Sequence, residues 1–421
     1  MWTPFIFSFL FLGSVGIALY QFKQVFNKIR LGKPYKAKGK KIARLKNLLL
    51  IALGQSKMFK KWMPAIFHGF IYLAFLITQI ELIEIIIDGF TGSHRFFHSY
   101  FNPVWYPWII NFIEILSLLA FIATLIFIIR RNILSISRLQ KDELKGWPKR
   151  DANLILIFEI LLIGFIFLMN SADMAIDDKG FWISGWISHF FKDLTANSVF
   201  VLERIGWWGH FIMVMVFLNY LPFSKHLHIL VAFPNTYYTD IQPIGKIENM
   251  PVIMNEVREM LGIERLESEE KLHLKEDDNF GAKDITDLSQ KTILEAFSCT
   301  ECGRCTDVCP ANITGKKLSP RKIMMDIRDR TNQFYQNRNQ PNGSLFDFIT
   351  NEEIFACTTC NACVEACPIM INPLKPILEL RRYKILSESS GPSDWMPMFN
   401  SLENGQSVWA VNESRTNWIE Q

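Results

Sequence analysis

The stretch Trp62-Met-Pro-Ala-Ile-Phe-His68-Gly-Phe-Ile-Tyr-Leu-Ala-Phe-Leu-Ile-Thr78-Gln-Ile-Glu81-Leu-Ile-Glu84-Ile-Ile-Ile87 decides the fold. It has no Lys or Arg, and its two acids lie towards one end. As a helix rising ~1.5 Å per residue it crosses a hydrocarbon core of ~30 Å. Working outward, residues 4–20, 108–129, 152–170 and 199–221 have the same character, and the last runs on past Pro222 to Phe233. The first lacks a basic leader and a small-residue cleavage site, so it reads as a retained helix. Five such lengths before residue 235 argue against a water-soluble globule for this half. The whole chain has 421 residues, 49% of them hydrophobic and 35 of them Phe. With no heptad or triplet repeat, that composition excludes collagenous, coiled-coil and disordered classes. A net charge of +4 gives no case for nucleic acid.

Charge in the loops gives an orientation. Residues 21–61 carry thirteen Lys and Arg and no acid, and residues 130–151 carry seven more. Residues 88–107 hold one Arg, and residues 171–198 are net acidic through Asp173, Asp177, Asp178 and Asp193. Cytoplasmic loops are enriched in Lys and Arg. The asymmetry therefore places the N-terminus outside, five helices across the inner (cytoplasmic) membrane, and the chain after about residue 225 in the cytoplasm. The basic 21–61 run reads as a loop facing lipid headgroups. Trp182 and Trp186 fit an interfacial helix on the outer side.

Histidines at membrane depth need partners. His68 lies about two turns into the second apolar stretch, His210 lies in the fifth, and His228 lies beyond it. Eighteen residues separate His210 from His228, five turns of a helix, which puts both on one face about 27 Å apart. Two such histidines, opposite His68 on an antiparallel helix, are what bis-histidine haem b ligation requires; the plainer reading is of hydrogen-bonded interface residues. His226 points nearly opposite to His228 unless Pro222 bends the helix, and stands as its substitute or as a propionate or quinone contact. His189 and His273 read as solvent or interface residues. Glu81, Glu84, Glu114 and Glu159 are costly in lipid and suggest a proton path or quinone pocket, although Glu81 and Glu84 can also reach outer-surface water.

The other half holds all eight cysteines, in two runs: Cys299-Thr-Glu-Cys302-Gly-Arg-Cys305-Thr-Asp-Val-Cys309-Pro310 and Cys357-Thr-Thr-Cys360-Asn-Ala-Cys363-Val-Glu-Ala-Cys367-Pro368. Both have the C-x2-C-x2-C-x3-C-P spacing of two-cluster bacterial ferredoxins. Three cysteines on a tight loop wrap one side of a cubane, and the fourth, before Pro, reaches the other cluster. Cluster 1 is then expected on Cys299, Cys302, Cys305 and Cys367, and cluster 2 on Cys357, Cys360, Cys363 and Cys309. Zinc sites use ligand pairs rather than such quartets, and disulfides do not suit a reducing compartment. Between the runs, Leu318-Ser-Pro-Arg-Lys-Ile-Met-Met-Asp-Ile-Arg reads as a capped amphipathic helix.

These motifs carry two resemblances. Ala65-Ile66-Phe67-His68-Gly69-Phe70, and Leu221-Pro222-Phe223-Ser224-Lys225 ahead of His228, resemble the respiratory nitrate reductase gamma subunit over about residues 55–235. That resemblance implies a five-helix cytochrome b with His68 and His228 on the haem nearer the cytoplasm. The family's further ligand on the second helix falls on Thr78, which cannot ligate. An outer haem then pairs His210 with a substitute, His94 or His98. About residues 285–385 resemble the helical ferredoxin modules of heterodisulfide reductase, succinate dehydrogenase and glycerol-3-phosphate dehydrogenase iron–sulfur subunits. The tail, with Trp395, Trp409 and Trp418, looks like the segment that leads into CCG domains in fused relatives and suggests partner docking.

Taken together, the expectation is a mainly α chain. Residues 1–235 form a five-helix transmembrane cytochrome b-like bundle and residues 236–285 a linker containing a helix near residues 252–261. Residues 286–388 form an all-α two-[4Fe–4S] ferredoxin-like domain, and residues 389–421 a partner-docking tail. No nucleotide-binding loop, CCG pair or nucleophile–base pair is evident. The chain thus reads as a membrane-bound electron-transfer subunit, with two [4Fe–4S] clusters and one or two haems b. Its expected partners are the quinone pool and a cytoplasmic CCG-domain protein or flavoprotein dehydrogenase. The rival readings are a gamma-type subunit serving a molybdenum enzyme, and an iron–sulfur redox sensor or membrane scaffold.

Overall fold

The computed structural model of the chain describes residues 3–100, 105–134, 136–264, 280–338, 342–405, 407–408 and 416–419; His273 and Trp409 lie outside them. Five helical segments are long and apolar enough to cross a membrane. The first is α1 (Thr3–Ile29), and the second is divided into α2 (Trp62–Ile77) and α3 (Gln79–Thr91). The others are α4 (Trp105–Asn132), α5 (Trp147–Ile176) and, after the short α6 (Trp182–Ser188), α7 (Ala196–Tyr220). The division falls at Thr78, whose hydroxyl donates back to the Phe75 carbonyl (3.4 Å), a bond that competes with the helix ladder and bends it. Phe5, Phe9 and Leu12 on α1 and Ile157 and Leu161 on α5 face outward and exposed, as lipid-facing residues do.

Inside the bundle, Phe7 of α1 inserts against Phe211 (ring centroids 4.3 Å apart), Trp207 and Phe90. At the α5–α7 crossing, Gly206 is required by space. A Cβ there would lie 2.5 Å from the Met169 backbone nitrogen. Trp182 and Trp186, on α6, are exposed, with the Trp182 ring edge-on to Trp108 of α4.

At the other end, α7 stops at Leu221-Pro222-Phe223, and the chain re-enters a helix as α8 (His228–Tyr237). Next comes the linker helix α9 (Pro251–Met260), close to the expected residues 252–261. The cysteine half is built on α10 (Gln290–Ser298), α11 (Pro320–Gln336) and α12 (Leu374–Arg382), joined by cysteine-bearing loops and single-turn helices. Ser319 caps α11 by accepting from the Lys322 N–H. Ile285, Leu288, Ile323, Ile327, Ile354 and Ile377 are among the residues of its core, and Cys299, Cys309 and Cys367 are buried with them. Among the described residues there is no strand, only an isolated bridge between Lys33 and Ser289.

The two halves share an apolar joint in which Val25 of α1, Leu227, and Ile293 and Phe297 of α10 pack together. Ion pairs surround it. Lys60 pairs with Glu365, Lys61 with Asp307 (2.8 Å), and Arg138 with Asp307 (3.5 Å). Arg321, fully buried, meets Glu143 (2.6 Å) and the Arg138 carbonyl (2.7 Å). The basic 21–61 run was expected to face lipid headgroups, and for its last residues this is a correction. Lys57, Lys60 and Lys61 at the end of the 21–61 run, with Arg138 of the 130–151 run, meet Glu365 and Asp307 of the cysteine half, so this part of the run docks that half.

Candidate metal centres

Each cysteine run folds the same way. In the first, Glu301 and Gly303 have positive φ (56° and 74°); in the second, Thr359 and Asn361 occupy the equivalent positions with φ of 57° and 61°. Left-handed residues alternating between cysteines turn successive backbone N–H groups inward, forming a concavity that suits anionic clusters. Gly303 has a further reason to be glycine, because a Cβ there would lie 2.5 Å from the Arg321 guanidinium.

The loops bring the cysteines together as two quartets. Cys299, Cys302, Cys305 and Cys367 line one cavity, with Met324 and Ile371. Cys309, Cys357, Cys360 and Cys363 line the other, with Leu318 and Ile377. Among the described residues no three metal-binding side chains converge on a single-ion point. The thiols instead ring two spaces, which suits a polynuclear cluster. Burial pushes the thiols up, Cys299 to about 11 and Cys363 and Cys367 to about 12, with neighbouring thiols adding to the effect. Iron binding as thiolates therefore releases protons. Backbone N–H groups of Thr359 and Ile371 donate to Cys357 Sγ (3.4 Å) and Cys367 Sγ (3.3 Å), contacts that tune a cluster's potential.

The cavities differ in setting. Cys360, on the second, is exposed, and Glu365 of the same run pairs with Lys60, whereas residues beside the first reach the surroundings of the histidines. Arg304, between Cys302 and Cys305, donates to the Met58 carbonyl (3.3 Å) in the turn before α2, within electrostatic reach of His68. Glu301 is paired with Lys225 and with Arg328 (2.9 Å). Although burial opposes it, these two cations hold the Glu301 carboxyl below the usual carboxylate range.

Next to this cavity the structure gathers three histidines. The rings of His226 and His228 stack 5.3 Å apart and nearly parallel, and both lie near His68. The Pro222 break turns His226 to the same side as His228, not the opposite one. His68 Nδ1 bonds Gln55 Oε1 (3.0 Å), His228 Nδ1 bonds the Lys225 carbonyl (3.1 Å), and His210 Nδ1 bonds the Leu162 carbonyl (3.1 Å). An Nδ1–H fixed on oxygen leaves Nε2 as the lone-pair nitrogen, the usual preparation of a metal-ligating imidazole. Burial also holds His226 and His228 below the ordinary histidine range, as neutral rings.

The outer candidates sit differently. His94 Nε2 faces Asp173 (3.5 Å) and Glu203 (3.8 Å), and His98 lies edge-on to Tyr106. His189 bonds the Gly185 carbonyl at the surface. Sequence reading missed the role of Gln55, Lys225 and Arg304 around the histidines, because no short motif marks a hydrogen-bond partner distant in sequence. In the tail, Trp395 packs edge-on against Phe355 of the cysteine half, while Trp418 is exposed.

Comparison with known proteins agrees with this geometry. Residues 298–371 match the 4Fe-4S dicluster domain family. Over 98% of its length the chain is 28% identical to the "Probable iron-sulfur-binding oxidoreductase FadF" of Bacillus subtilis, and it covers 61% of that protein. Over 98% of its length it is also 24% identical to the "EtfAB:quinone oxidoreductase" of Syntrophomonas wolfei, covering 59% of it. A match of 27% identity over 32% of the chain covers 36% of a dihydromethanophenazine:CoB–CoM heterodisulfide reductase subunit from Methanosarcina mazei. The chain thus spans about three-fifths of the length of the curated relatives that it matches end to end. No solved structure matches it.

Proposed function

We propose that this chain, an iron–sulfur electron-transfer protein with a 4Fe-4S dicluster domain and relatives among iron–sulfur oxidoreductases, links a cytoplasmic redox partner to the quinone pool. The observation that carries the reading is the order of the sites. Glu301 and Arg304, beside the cavity on Cys299, Cys302, Cys305 and Cys367, reach Lys225 and the Met58 carbonyl next to the histidine cluster, while the other cavity carries the exposed Cys360. Bound there, [4Fe–4S] clusters and haem b supply one-electron carriers.

The residues have distinct tasks. Cys299, Cys302, Cys305 and Cys367 hold cluster 1, and Cys357, Cys360, Cys363 and Cys309 hold cluster 2. His68 and His228 hold the inner haem, oriented by Gln55 and by the Lys225 carbonyl. His210 is prepared in the same way for an outer haem, and His94 is its candidate partner. His94 must first give up its contacts with Asp173 and Glu203. Glu301, Lys225 and Arg304 set the charge between the buried cavity and the histidines. The dicluster domain docks on the basic loops, which by the positive-inside rule is the cytoplasmic side of the inner membrane. Cys360 marks the face for a CCG-domain protein or a flavoprotein dehydrogenase.

The test is anaerobic mixing of the purified, cofactor-loaded protein with a quinol analogue, followed by haem absorbance and cluster EPR. The reading expects both signals to respond in the wild type, and His228→Ala to remove the inner haem's share of the haem response and slow cluster reduction by the quinol, while dithionite still reduces the clusters. Cluster reduction by the quinol analogue at an unchanged rate in His228→Ala would contradict it.

A further inference from the structure

The outer end of the bundle holds a second buried polar cluster that the cysteine and histidine sites leave unused. Arg95, between α3 and the short helix Phe96–Tyr100, is 5% exposed and points inward. Its guanidinium meets Asp173 (3.0 Å), Glu81 (3.4 Å), Glu84 (3.7 Å) and the Asn170 carbonyl oxygen. Most of the surrounding acids have their own compensation. Asp173 also meets Lys179 (3.0 Å) and His94, and Glu203 pairs with Arg204. Asp88 accepts from the Ser93 hydroxyl and the Arg95 and Phe96 N–H groups. Glu84 accepts from the Tyr106 hydroxyl (2.8 Å) and the Phe97 N–H (2.9 Å).

Glu81 and Glu114 are left over. Glu81 shares the Arg95 guanidinium, at a long distance, with two other carboxylates, and beyond it faces only the Asn170 side-chain amide. Glu114 accepts from the Ile183 and Ser184 N–H groups (3.0 and 3.3 Å) and makes no ion pair within 4 Å among the described residues. Both are enclosed, at 1% and 0% exposure, and each keeps one carboxyl oxygen with no hydrogen-bond partner. Three more atoms nearby lack partners although their residues are fully buried or nearly so: Asn170 Nδ2, Ser117 Oγ and Ser184 Oγ. Asn170 faces Glu81, Ser184 faces Glu114, and the two carboxyls lie within electrostatic reach of each other. Orphaned polar atoms are rare in protein interiors, and five in one place call for a ligand. An uncompensated carboxylate is not stable there, whereas a carboxylic acid is neutral and donates a hydrogen bond. A water molecule with two to four polar partners satisfies the rest.

We propose that Glu81 and Glu114, with Asn170, Ser117 and Ser184, form a hydrated proton-holding site in the outer half of the membrane, with Arg95 and its carboxylates as the frame. The ligand is a proton, carried on a carboxyl oxygen and exchanged through bound water; only O–H bonds form and break. The site gives the proposed electron-transfer function a proton store on the face opposite the clusters. It does not rest on that function, because its protonation is read in the resting protein.

The experiment is infrared spectroscopy of the full chain in lipid nanodiscs, in water and in deuterium oxide. It uses a Glu159→Gln/Asp326→Asn background, which removes the carboxyl that accepts from Thr124 in mid-membrane and the raised carboxyl beside Lys322. At neutral pH the site gives a deuterium-sensitive C=O band of a protonated carboxyl. Glu81→Gln and Glu114→Gln each remove part of that band, and Glu352→Gln, at an exposed pair with Lys317, leaves it intact. Asn170→Leu, which keeps both carboxyls, shifts it. A wild-type band that is absent, or one that survives the Glu81→Gln/Glu114→Gln double variant and does not move in Asn170→Leu, overturns the proposal. Neither result bears on whether electrons cross the clusters.

Discussion

Lys225 ties the two halves together, and replacing it with Met isolates what its charge does. Its side chain is 9% exposed; Nζ meets Glu301, the Pro148 carbonyl (2.8 Å) and, at 3.9 Å, Asp151. Its backbone N–H donates to Asp151 (3.0 Å), and its carbonyl receives His228 Nδ1. Methionine keeps the apolar stem and these backbone bonds. Glu301, 2% exposed at its side chain, then keeps Arg328 alone. Removing one member of a buried pair costs about 3–5 kcal/mol, and the remaining cation puts Lys225→Met near the lower end, about 3 kcal/mol. At about 2–4 °C per kcal/mol, the melting temperature falls by about 6–12 °C. Lys60→Ala, which breaks the exposed pair with Glu365, costs about 0–1 kcal/mol. Scanning fluorimetry of detergent-purified protein at low and high salt makes the comparison. Salt screens the exposed pair and leaves the Lys225→Met deficit in place. If Lys225→Met melts within about 2 °C of the wild type, or no lower than Lys60→Ala, the buried-joint account fails.

Three further outcomes follow from the same geometry. Cys309→Ser should perturb the EPR signal of the cluster held by the 357–363 loop and leave that of its own loop; the reverse pattern removes the cross-ligation. Asp326 is partly buried beside Lys322, which it shares with Glu353, and loss of solvent outweighs that cation and pushes its carboxyl up to about 7. A raised carboxyl binds protons in the folded state, so it costs stability that grows as pH rises from about 4 to about 7 and is complete above that. Asp326→Asn should therefore raise the melting temperature at pH ~8 and give a smaller gain at pH ~5.5, as a melting series across that range will show. Gly303→Ala places a methyl against Arg321 at a positive φ, with a backbone cost of about 1–2 kcal/mol before the clash, and lowers the melting temperature. Asn361→Gly, at the equivalent position of the second loop, leaves it unchanged or higher.

Where local chemistry decides, the sequence was a sufficient guide. The five apolar lengths appear as five helices, and the two cysteine runs line two cavities, each with three cysteines of one run and one of the other. The capped helix after Ser319 and the linker helix after Pro251 also appear near their expected positions. Contacts between distant segments were not legible. The 21–61 run was read as facing lipid because Glu365 and Asp307, which meet its last lysines, lie hundreds of residues away and nothing local announces that they return. His226 was expected to point away from His228 on a continuous helix, but the Leu221-Pro222-Phe223 turn resets the phase and stacks the two rings. The outer acids were seen as costly, but their grouping around Arg95 depends on a loop residue with φ of 55° that no periodicity marks.

The central claim is that one chain holds two clusters and a haem at the join between its halves. The direct measurement is non-haem iron and pyridine haemochrome per chain on detergent-purified protein, for the wild type and His228→Ala. The account predicts about eight non-haem irons in both, and haem b in the wild type that falls by one equivalent in the variant. Wild-type protein with full iron and no haem would contradict it, leaving a dicluster ferredoxin on a five-helix anchor.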